Sequence, residues 1–147
     1  MNTNQKVAVL VPCYNEELTV SKVINDFKRE LPKADIYVYD NNSKDKTVEL
    51  AKAAGADVRK ETKQGKGNVV RTMFKEIDAD VYILVDGDDT YPAEEVGKLI
   101  KPVLDGEADM VIGDRLSNGT YFAENKRGFH GFGNHLVRNL INWLFKS

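Results

Sequence analysis

Short apolar runs and amphipathic segments alternate along the chain. The runs are rich in β-branched and aromatic residues and have the length of buried strands, whereas the segments between them repeat apolar residues at helical spacing. Strands are predicted over residues 7–11, 36–40, 56–59, 81–85 and 108–112, and helices over residues 16–31, 46–54, 67–77 and 96–104. Pro12 is expected to end the first strand, and a last helix is predicted from Phe129.

The alternating order of strands and helices determines the predicted fold class. Strands separated by helices are typical of an α/β domain with an open, mostly parallel central sheet and helices on both faces. The 147 residues are enough for one such domain, and 41% hydrophobic with 30% charged residues is an ordinary balance for a soluble protein. The one long irregular stretch, residues 115–128, has the size of an active-site loop.

Charge, cysteine content and hydropathy narrow the class of protein further. The 21 lysines and arginines nearly match the 23 aspartates and glutamates, and the formal charge of −2 argues against a nucleic-acid partner, which normally requires a basic surplus. The single cysteine, Cys13, excludes an internal disulfide and fits a reducing compartment. No apolar run reaches the ~18 residues of a membrane span, and the polar N-terminus lacks a signal-peptide core. We therefore expect a cytoplasmic protein.

An acidic turn directly follows the predicted strand over residues 81–85. Its sequence, Asp86-Gly87-Asp88-Asp89, crowds three carboxylates, which repel one another and raise one another's proton affinity unless a cation neutralises them. Carboxylate oxygens suit Mg²⁺ or Mn²⁺, which usually keep a substrate phosphate as a further ligand. The alternative is a solvated acidic turn that leads into the next helix, with Pro92 in its first turn.

Other polar residues also collect at the predicted strand ends. Ligands of an open parallel sheet bind outside the carboxyl ends of its strands, where residues 12–17, 40–43 and 113–115 would join the acidic turn. The chain lacks both the G-x-G-x-x-G and the G-x-x-x-x-G-K-[ST] patterns, which argues against a dinucleotide site and a P-loop. Lys66, between two glycines before a predicted helix, is either part of a flexible helix start or a phosphate or nucleotide contact.

Three of these segments, in this order, resemble a known family. Val11–Glu17 reads V-P-C-Y-N-E-E, Asp40–Thr47 reads D-N-N-S-K-D-K-T, and Asp86–Asp88 reads D-G-D. The set resembles family 2 of the nucleotide-sugar glycosyltransferases and, more narrowly, the dolichyl- or polyprenyl-phosphate sugar synthases. The resemblance implies a single Rossmann-like domain of the GT-A type that binds a nucleotide sugar, covering residues 1–147.

The resemblance also implies roles for particular residues. The nucleoside pocket would be lined by Pro12, Tyr14 and Glu16, with Asp40 hydrogen-bonded to the base. Asp86 and Asp88 would hold the ribose and a Mg²⁺ or Mn²⁺ ion, with Asp88 the main metal ligand. Structural alternatives stay open: Asn15 could cap the first helix, and Ser43 or Asp45 the second.

The implied reaction is an inverting sugar transfer from a UDP- or GDP-linked donor. A metal at Asp88 would stabilise the negative charge of the leaving nucleotide. A polyprenyl-phosphate acceptor is already an anion, so it needs cations to position it, and Arg115 and Arg127 are the candidates. Two other functions stay open: a family 2 transferase with a saccharide acceptor, and a non-catalytic domain that binds a nucleotide sugar.

The end of the chain departs from the family pattern. Members normally continue with a D-x-x-[ST]-G-[FY]-R motif, and many add transmembrane helices, so we expect a catalytic domain truncated at its C-terminus. The predicted helix from Phe129 carries a broad apolar face. That face would pack on the domain's own sheet, on a membrane surface or on a second copy of the chain. We expect a weak homodimer, and a location at the inner face of a membrane for the full-length protein.

Overall fold

The structure, a computed structural model, describes residues 5–113. The chain divides into two units, residues 1–111 and 112–147, and every helix and strand given below belongs to the first. The predicted C-terminal helix from Phe129 lies outside the described residues, as does the apolar face on which the homodimer was predicted.

Four strands and four helices alternate along the described chain. They are β1 (Val7–Cys13), α1 (Val20–Glu30), β2 (Asp35–Asp40), α2 (Thr47–Ala53), β3 (Asp57–Lys60), α3 (Lys66–Glu76), β4 (Val81–Leu84) and α4 (Val96–Leu104). A short 3-10 turn, Ala93–Glu95, precedes α4.

The strands form one open parallel sheet in the order β3-β2-β1-β4. From β1 the chain moves outward through β2 to β3, and then crosses back to place β4 on the other side of β1. Cys13 lies opposite Asp40 in the β1–β2 pair, and Leu10 lies opposite Leu84 in the β1–β4 pair. The prediction of a mostly parallel α/β sheet is confirmed.

Both faces of the sheet are covered by helices, as predicted. Successive side chains of a strand point to opposite faces. Val9 and Val11 therefore join a core with residues of α1, α2 and the turn before α4, while Ala8 and Leu10 join a second core with Val69 and Met73 of α3.

The boundaries of two elements differ from the prediction by two residues or more at one end. β1 continues through Pro12 to Cys13, because the fixed φ of proline suits an extended strand and costs only one backbone donor. The Cys13 carbonyl still accepts the backbone N–H of Asn41 at 2.9 Å. α1 begins at Val20 rather than at Glu16, since residues 14–19 form a loop in which the Glu16 carbonyl accepts the N–H groups of Thr19 and Val20.

The fifth predicted strand, over Ala108–Ile112, is wrong for the described part of the chain. These residues form no strand there, and the side chains of Met110 and Ile112 are 74% and 76% exposed. The backbone N–H of Ala108 instead bonds to the Pro102 carbonyl at the end of α4. An apolar run becomes a strand only where another strand pairs with it, and that partner cannot be read from the run itself.

Among the described helices, none is long and apolar enough to cross a membrane.

A leucine-to-alanine pair tests the two-sided core. Leu10 is fully buried on the face of the sheet that α3 covers. Leu10→Ala therefore leaves a cavity and should lower the free energy of unfolding by roughly 2–5 kcal/mol. Leu18 is 92% exposed, and Leu18→Ala should change it by less than about 0.5 kcal/mol. Urea titration followed by circular dichroism measures both values. Equal losses for the two variants would contradict the core described here.

Candidate functional site

A cleft of about 290 Å³ opens at the carboxyl ends of β1 and β4. It lies where the chain reverses its direction across the sheet, the position at which open α/β sheets bind ligands. Its walls come from the ends of β1, β2 and β4 and from the start of α3. The lining residues are Pro12, Cys13, Tyr14, Glu16, Asn41, Gln64, Gly65, Lys66, Val69, Asp86, Gly87 and Asp88. The predicted site residues among them are Pro12, Tyr14, Glu16, Lys66, Asp86 and Asp88.

Asp40 is placed differently from those six residues. It is buried and does not line the cleft, and both of its carboxylate oxygens accept the backbone N–H of Ser43, at 3.2 and 3.3 Å. The carboxylate therefore supports the loop that follows β2. Its predicted contact with a nucleobase stays a prediction. Arg115 and Arg127, predicted to grip the acceptor phosphate, lie outside the described residues.

The acidic turn after β4 presents two carboxylates to the cleft. Asp86 Oδ1 forms an ion pair with Lys66 Nζ at 2.5 Å. Asp88 Oδ1 accepts hydrogen bonds from the backbone N–H of Thr90 at 3.1 Å and from its hydroxyl at 2.7 Å. Asp89 has a left-handed backbone (φ 60°) and pairs with Lys22 instead. The turn leads not into an α-helix but into the 3-10 turn after Pro92.

A third carboxylate, that of Glu16, lies close to this turn. Partial burial, then repulsion from Asp88 and from Asp86, raises the pKa of the Glu16 carboxyl, while hydrogen bonding with the Thr19 side chain opposes the shift. The cleft thus concentrates negative charge on one wall, and a bound cation would relieve the repulsion.

The acidic turn offers oxygen ligands to a divalent metal. Asp86 and Asp88 use only Oδ1 in the bonds described above, so within residues 5–113 the second oxygen of each carboxylate is available as a hard ligand. No group of three or more histidine, cysteine, aspartate or glutamate side chains there has the geometry of a metal site. Two carboxylates fit Mg²⁺ or Mn²⁺ as a partial set, because such ions usually take further ligands from water and substrate phosphates.

The loop after β1 is joined to the loop after β2 by side chains of the predicted motifs. The Asn15 backbone N–H donates to Ser43 Oγ at 2.9 Å, and Asn15 Oδ1 accepts the Lys44 N–H at 2.8 Å. Asn15 therefore does not cap α1, whose N-cap residue is Thr19. Its left-handed φ of 55°, which asparagine tolerates better than most residues, turns the chain toward the second loop.

Thr47 connects the same two loops from the core side. Its fully buried hydroxyl accepts the Glu16 backbone N–H at 2.8 Å and donates to Asp45 Oδ1 at 2.5 Å, while Asp45 Oδ2 accepts the N–H of Glu17 at 3.1 Å. Asp45 also accepts the N–H of Thr47, the first residue of α2, so it supports that helix although the N-cap residue is Lys46. Ser43 and Asp45 thus hold the Tyr14–Glu16 segment in position.

Asn41 was not singled out from the sequence, yet it connects more of the site than any predicted residue. It is 4% exposed. Its Nδ2 donates to the carbonyls of Glu61 and Lys63 at 2.8 and 3.0 Å, and its Oδ1 accepts the Gly65 N–H at 2.8 Å and Gln64 Nε2 at 3.2 Å. Two donors and two acceptor sites are the full capacity of an amide. The D-N-N-S segment marked a strand end, but its partners about twenty residues later could not be read from it.

Gly87 lies where the loops after β1 and β4 touch. A Cβ atom on Gly87 would lie 2.6 Å from Cys13 Sγ, so a larger residue fits only if the buried Cys13 side chain or the turn moves. The Gly87 carbonyl also accepts the Thr19 hydroxyl at 2.6 Å. This close approach brings the acidic turn beside the Tyr14–Glu16 segment.

The sequence matches the model of glycosyl transferase family 2 over residues 8–145, and the chain belongs to that family. The predicted GT-A type of fold is confirmed by solved structures of such transferases. Glucosyl-3-phosphoglycerate synthase from Mycobacterium tuberculosis, crystallised with Mn²⁺, UDP-glucose and phosphoglyceric acid, superimposes with a TM-score of 0.63 and 26% identity. The match covers 71% of this chain and 41% of the synthase.

Two curated relatives are similar along most of the chain. Protein RfbJ of Shigella flexneri is 52% identical over 113 residues, which are 77% of this chain and 88% of RfbJ. A dolichyl-phosphate hexose transferase of Haloferax volcanii is 33% identical over 142 residues, which are 97% of this chain but 60% of that protein. The chain therefore spans less than two thirds of the second relative and of the solved synthase.

The Asn41 amide gives a stability prediction. Asn41→Asp keeps the shape but removes both donors and puts a charge beside two carbonyls, so it should lower the free energy of unfolding by roughly 1–3 kcal/mol. The matched control is Asn42→Asp. Asn42 is half-buried, and its Nδ2 donates to Thr62 and Gln64 of the same loop. Urea unfolding should give a clearly smaller loss for the control, and equal losses would contradict the role of Asn41.

Cys13 gives a prediction about reactivity. Burial, with repulsion from Glu16 and Asp40, raises the pKa of its thiol to about 12, so the reactive thiolate forms only at strongly alkaline pH. At pH 8 the folded protein should react with iodoacetamide roughly a hundredfold or more slowly than the urea-unfolded protein. Mass spectrometry follows the reaction. Rapid alkylation of the folded chain would show that the thiol is accessible and ionised.

Proposed function

We propose that the protein transfers a sugar from a nucleoside-diphosphate sugar to a polyprenyl or dolichyl phosphate, with inversion at the sugar carbon and with Mg²⁺ or Mn²⁺. The observation that carries the proposal is the cleft itself. It combines an aromatic side chain, two carboxylates on one turn and a lysine at a helix start. The aromatic ring suits a base, the carboxylates suit a metal ion on the diphosphate, and the lysine suits the negative charge of the phosphates.

The donor nucleoside binds against the loop after β1. Tyr14 is half-exposed on the cleft wall and offers a flat apolar face to a base, beside Pro12 and Glu16. Asp40 accepts a hydrogen bond from the base once the Asp40–Ser43 loop adjusts around the ligand. The base is uracil or guanine, and the synthase crystallised with UDP-glucose supports uracil.

The diphosphate binds between the acidic turn and the start of α3. Lys66 is the first residue of this 11-residue helix, where backbone N–H groups and the helix dipole favour an anion. Asp86 holds the ribose and shares the metal with Asp88. When bound, the metal acts as a Lewis acid that stabilises the charge of the leaving nucleoside diphosphate.

The acceptor is a lipid phosphate. The phosphate is an anion at neutral pH and attacks without a general base, so the protein has only to position it. In this proposal Arg115 and Arg127 position the acceptor phosphate. The catalytic domain covers residues 1–147, and it works at the inner face of a membrane. The relative named a dolichyl-phosphate hexose transferase supports this acceptor class.

A second acceptor class is favoured by a specific similarity. The solved synthase was crystallised with phosphoglyceric acid, a small phosphorylated acceptor. A transfer to a hydroxyl group of such a molecule would need a general base, which a lipid phosphate does not.

A donor and acceptor panel tests the proposal. The protein is incubated with Mn²⁺ and UDP- or GDP-linked hexoses, together with a polyprenyl phosphate in detergent, phosphoglyceric acid, an oligosaccharide or no acceptor. Sugar transfer to the polyprenyl phosphate is the expected result. Transfer only to phosphoglyceric acid or the oligosaccharide would replace the acceptor, and donor binding with neither transfer nor hydrolysis would mean a binding domain.

The metal assignment gives a separate prediction. Asp88→Asn keeps the Oδ1 acceptor for Thr90 but removes the charge, and should weaken Mn²⁺-dependent donor binding at least tenfold, about 1.4 kcal/mol. The control Asp89→Asn makes the same change at the next residue, whose carboxylate pairs with Lys22. Isothermal titration with and without Mn²⁺ gives both affinities. Unchanged metal-dependent affinity in Asp88→Asn would remove Asp88 from the metal site.

A further inference from the structure

The Lys66–Asp86 ion pair crosses the cleft between two different elements. Lys66 is the first residue of α3, and Asp86 lies two residues beyond the end of β4. Their side chains meet at 2.5 Å, with 59% of the lysine and 30% of the aspartate side chain exposed. Among the described residues that line the cleft, Lys66 is the one cation.

Lys66 and Asp86 would contact different parts of a bound donor. In the proposed function Lys66 faces the diphosphate, whereas Asp86 contributes to the metal and ribose site. In the observed pair the ammonium group holds Oδ1 of Asp86, and its positive charge lies beside Oδ2, the oxygen left for a metal. One ammonium group carries a single positive charge. It cannot fully neutralise both Asp86 and a diphosphate at the same time, because each anion needs the ammonium group at its shortest contact distance.

We propose that Lys66 is an exchangeable counter-ion that holds Asp86 until a nucleoside diphosphate draws it away. In the empty cleft its ammonium group occupies Asp86 and repels a divalent cation. When the diphosphate binds, the ammonium group moves to the phosphate oxygens, and the positive charge that keeps a metal from Asp86 is removed. Metal and nucleotide then assist each other's binding, and the assistance is reciprocal. This inference rests on the proposed function.

The energetics of the pair allow such an exchange. A solvent-exposed ion pair contributes little net stability, so little is lost when it opens. Lysine carries a compact charge on a flexible four-carbon stem, and the ammonium group can move several ångströms without backbone movement. A diphosphate offers more negative charge than one carboxylate, so the ammonium group favours it once it is present.

The nearby charges support the role of this particular lysine. Lys22 also approaches the acidic turn, but it pairs with Asp89 and with Asp26 of its own helix and does not line the cleft. Asp88 is held by Thr90 rather than by a cation. Asp86 is thus the carboxylate of the turn whose availability depends on Lys66.

The test compares Mn²⁺ binding by Lys66→Met, Lys66→Arg and Lys63→Met with the wild type. Lys63→Met is the matched control, since it removes the same charge three residues earlier at an exposed position that does not line the cleft. Electron paramagnetic resonance measures free Mn²⁺ at increasing metal concentration, alone and with saturating UDP or GDP. Circular dichroism checks that all four proteins are folded.

The expected result concerns Mn²⁺ without nucleotide. Lys66→Met should bind Mn²⁺ alone roughly three- to tenfold more tightly than the wild type, because the competing and repelling charge is gone. Lys66→Arg and Lys63→Met should resemble the wild type. The gain in Mn²⁺ affinity caused by the nucleotide should shrink in Lys66→Met, and the nucleotide alone should bind it more weakly.

Two failures can be told apart. If Mn²⁺ binds all four proteins with nucleotide, but Lys66→Met binds Mn²⁺ alone no more tightly than the wild type, the exchange is wrong and the metal site stands. If the wild type fails to bind Mn²⁺ both in the presence of UDP and in the presence of GDP, the proposed metal-dependent function is wrong, and the exchange is wrong with it. Tighter Mn²⁺ binding by Lys63→Met to the same extent would also overturn the inference, because the effect would then be one of general charge.

Discussion

The hydrogen bonds of Asn41 hold three chain segments together at the end of the central strand. The backbone N–H of Asn41 bonds to the last residue of β1, and its side chain uses both donors and both acceptor sites on residues 61–65. α3 starts directly after that loop, so the position of Lys66 relative to β1 depends on one buried amide. Without these bonds the loop carbonyls would be unpaired, and the lysine would have no fixed place opposite the acidic turn.

Charge at the site is balanced by few groups. Glu16, Asp86 and Asp88 crowd one wall of the cleft, and repulsion among them contributes to the raised pKa of Glu16. Lys66 neutralises one of the three. Repulsion of this kind destabilises the protein slightly, and the proposed metal–diphosphate complex would relieve it because it would bring a divalent cation to the carboxylates and an anion to the lysine. The same charges that oppose folding would therefore favour binding of that complex.

The strands of the sheet and the general position of the cleft could be predicted because both follow from local patterns. Apolar runs such as that of β4 give strands, and the polar residues after them meet at one edge of a parallel sheet. The sequence gives less guidance where the outcome depends on distant partners. Asparagine is a residue type that often caps a helix, but Asn15 bonds to the loop after β2. The apolar run over residues 108–112 forms no strand among the described residues. Asp40 ends its strand as predicted, yet its carboxylate turns to Ser43 instead of the cleft.

We propose above all that the cleft at the ends of β1 and β4 binds the metal complex of a nucleoside diphosphate. A crystal structure of the protein with Mn²⁺ and UDP, with diffraction recorded at the manganese absorption edge, tests it most directly. We expect one anomalous peak within coordination distance of Asp88 and the diphosphate, with the base beside Tyr14 and with Lys66 on the phosphates. A metal peak bound away from the acidic turn, or a nucleotide ordered outside the cleft, would contradict it.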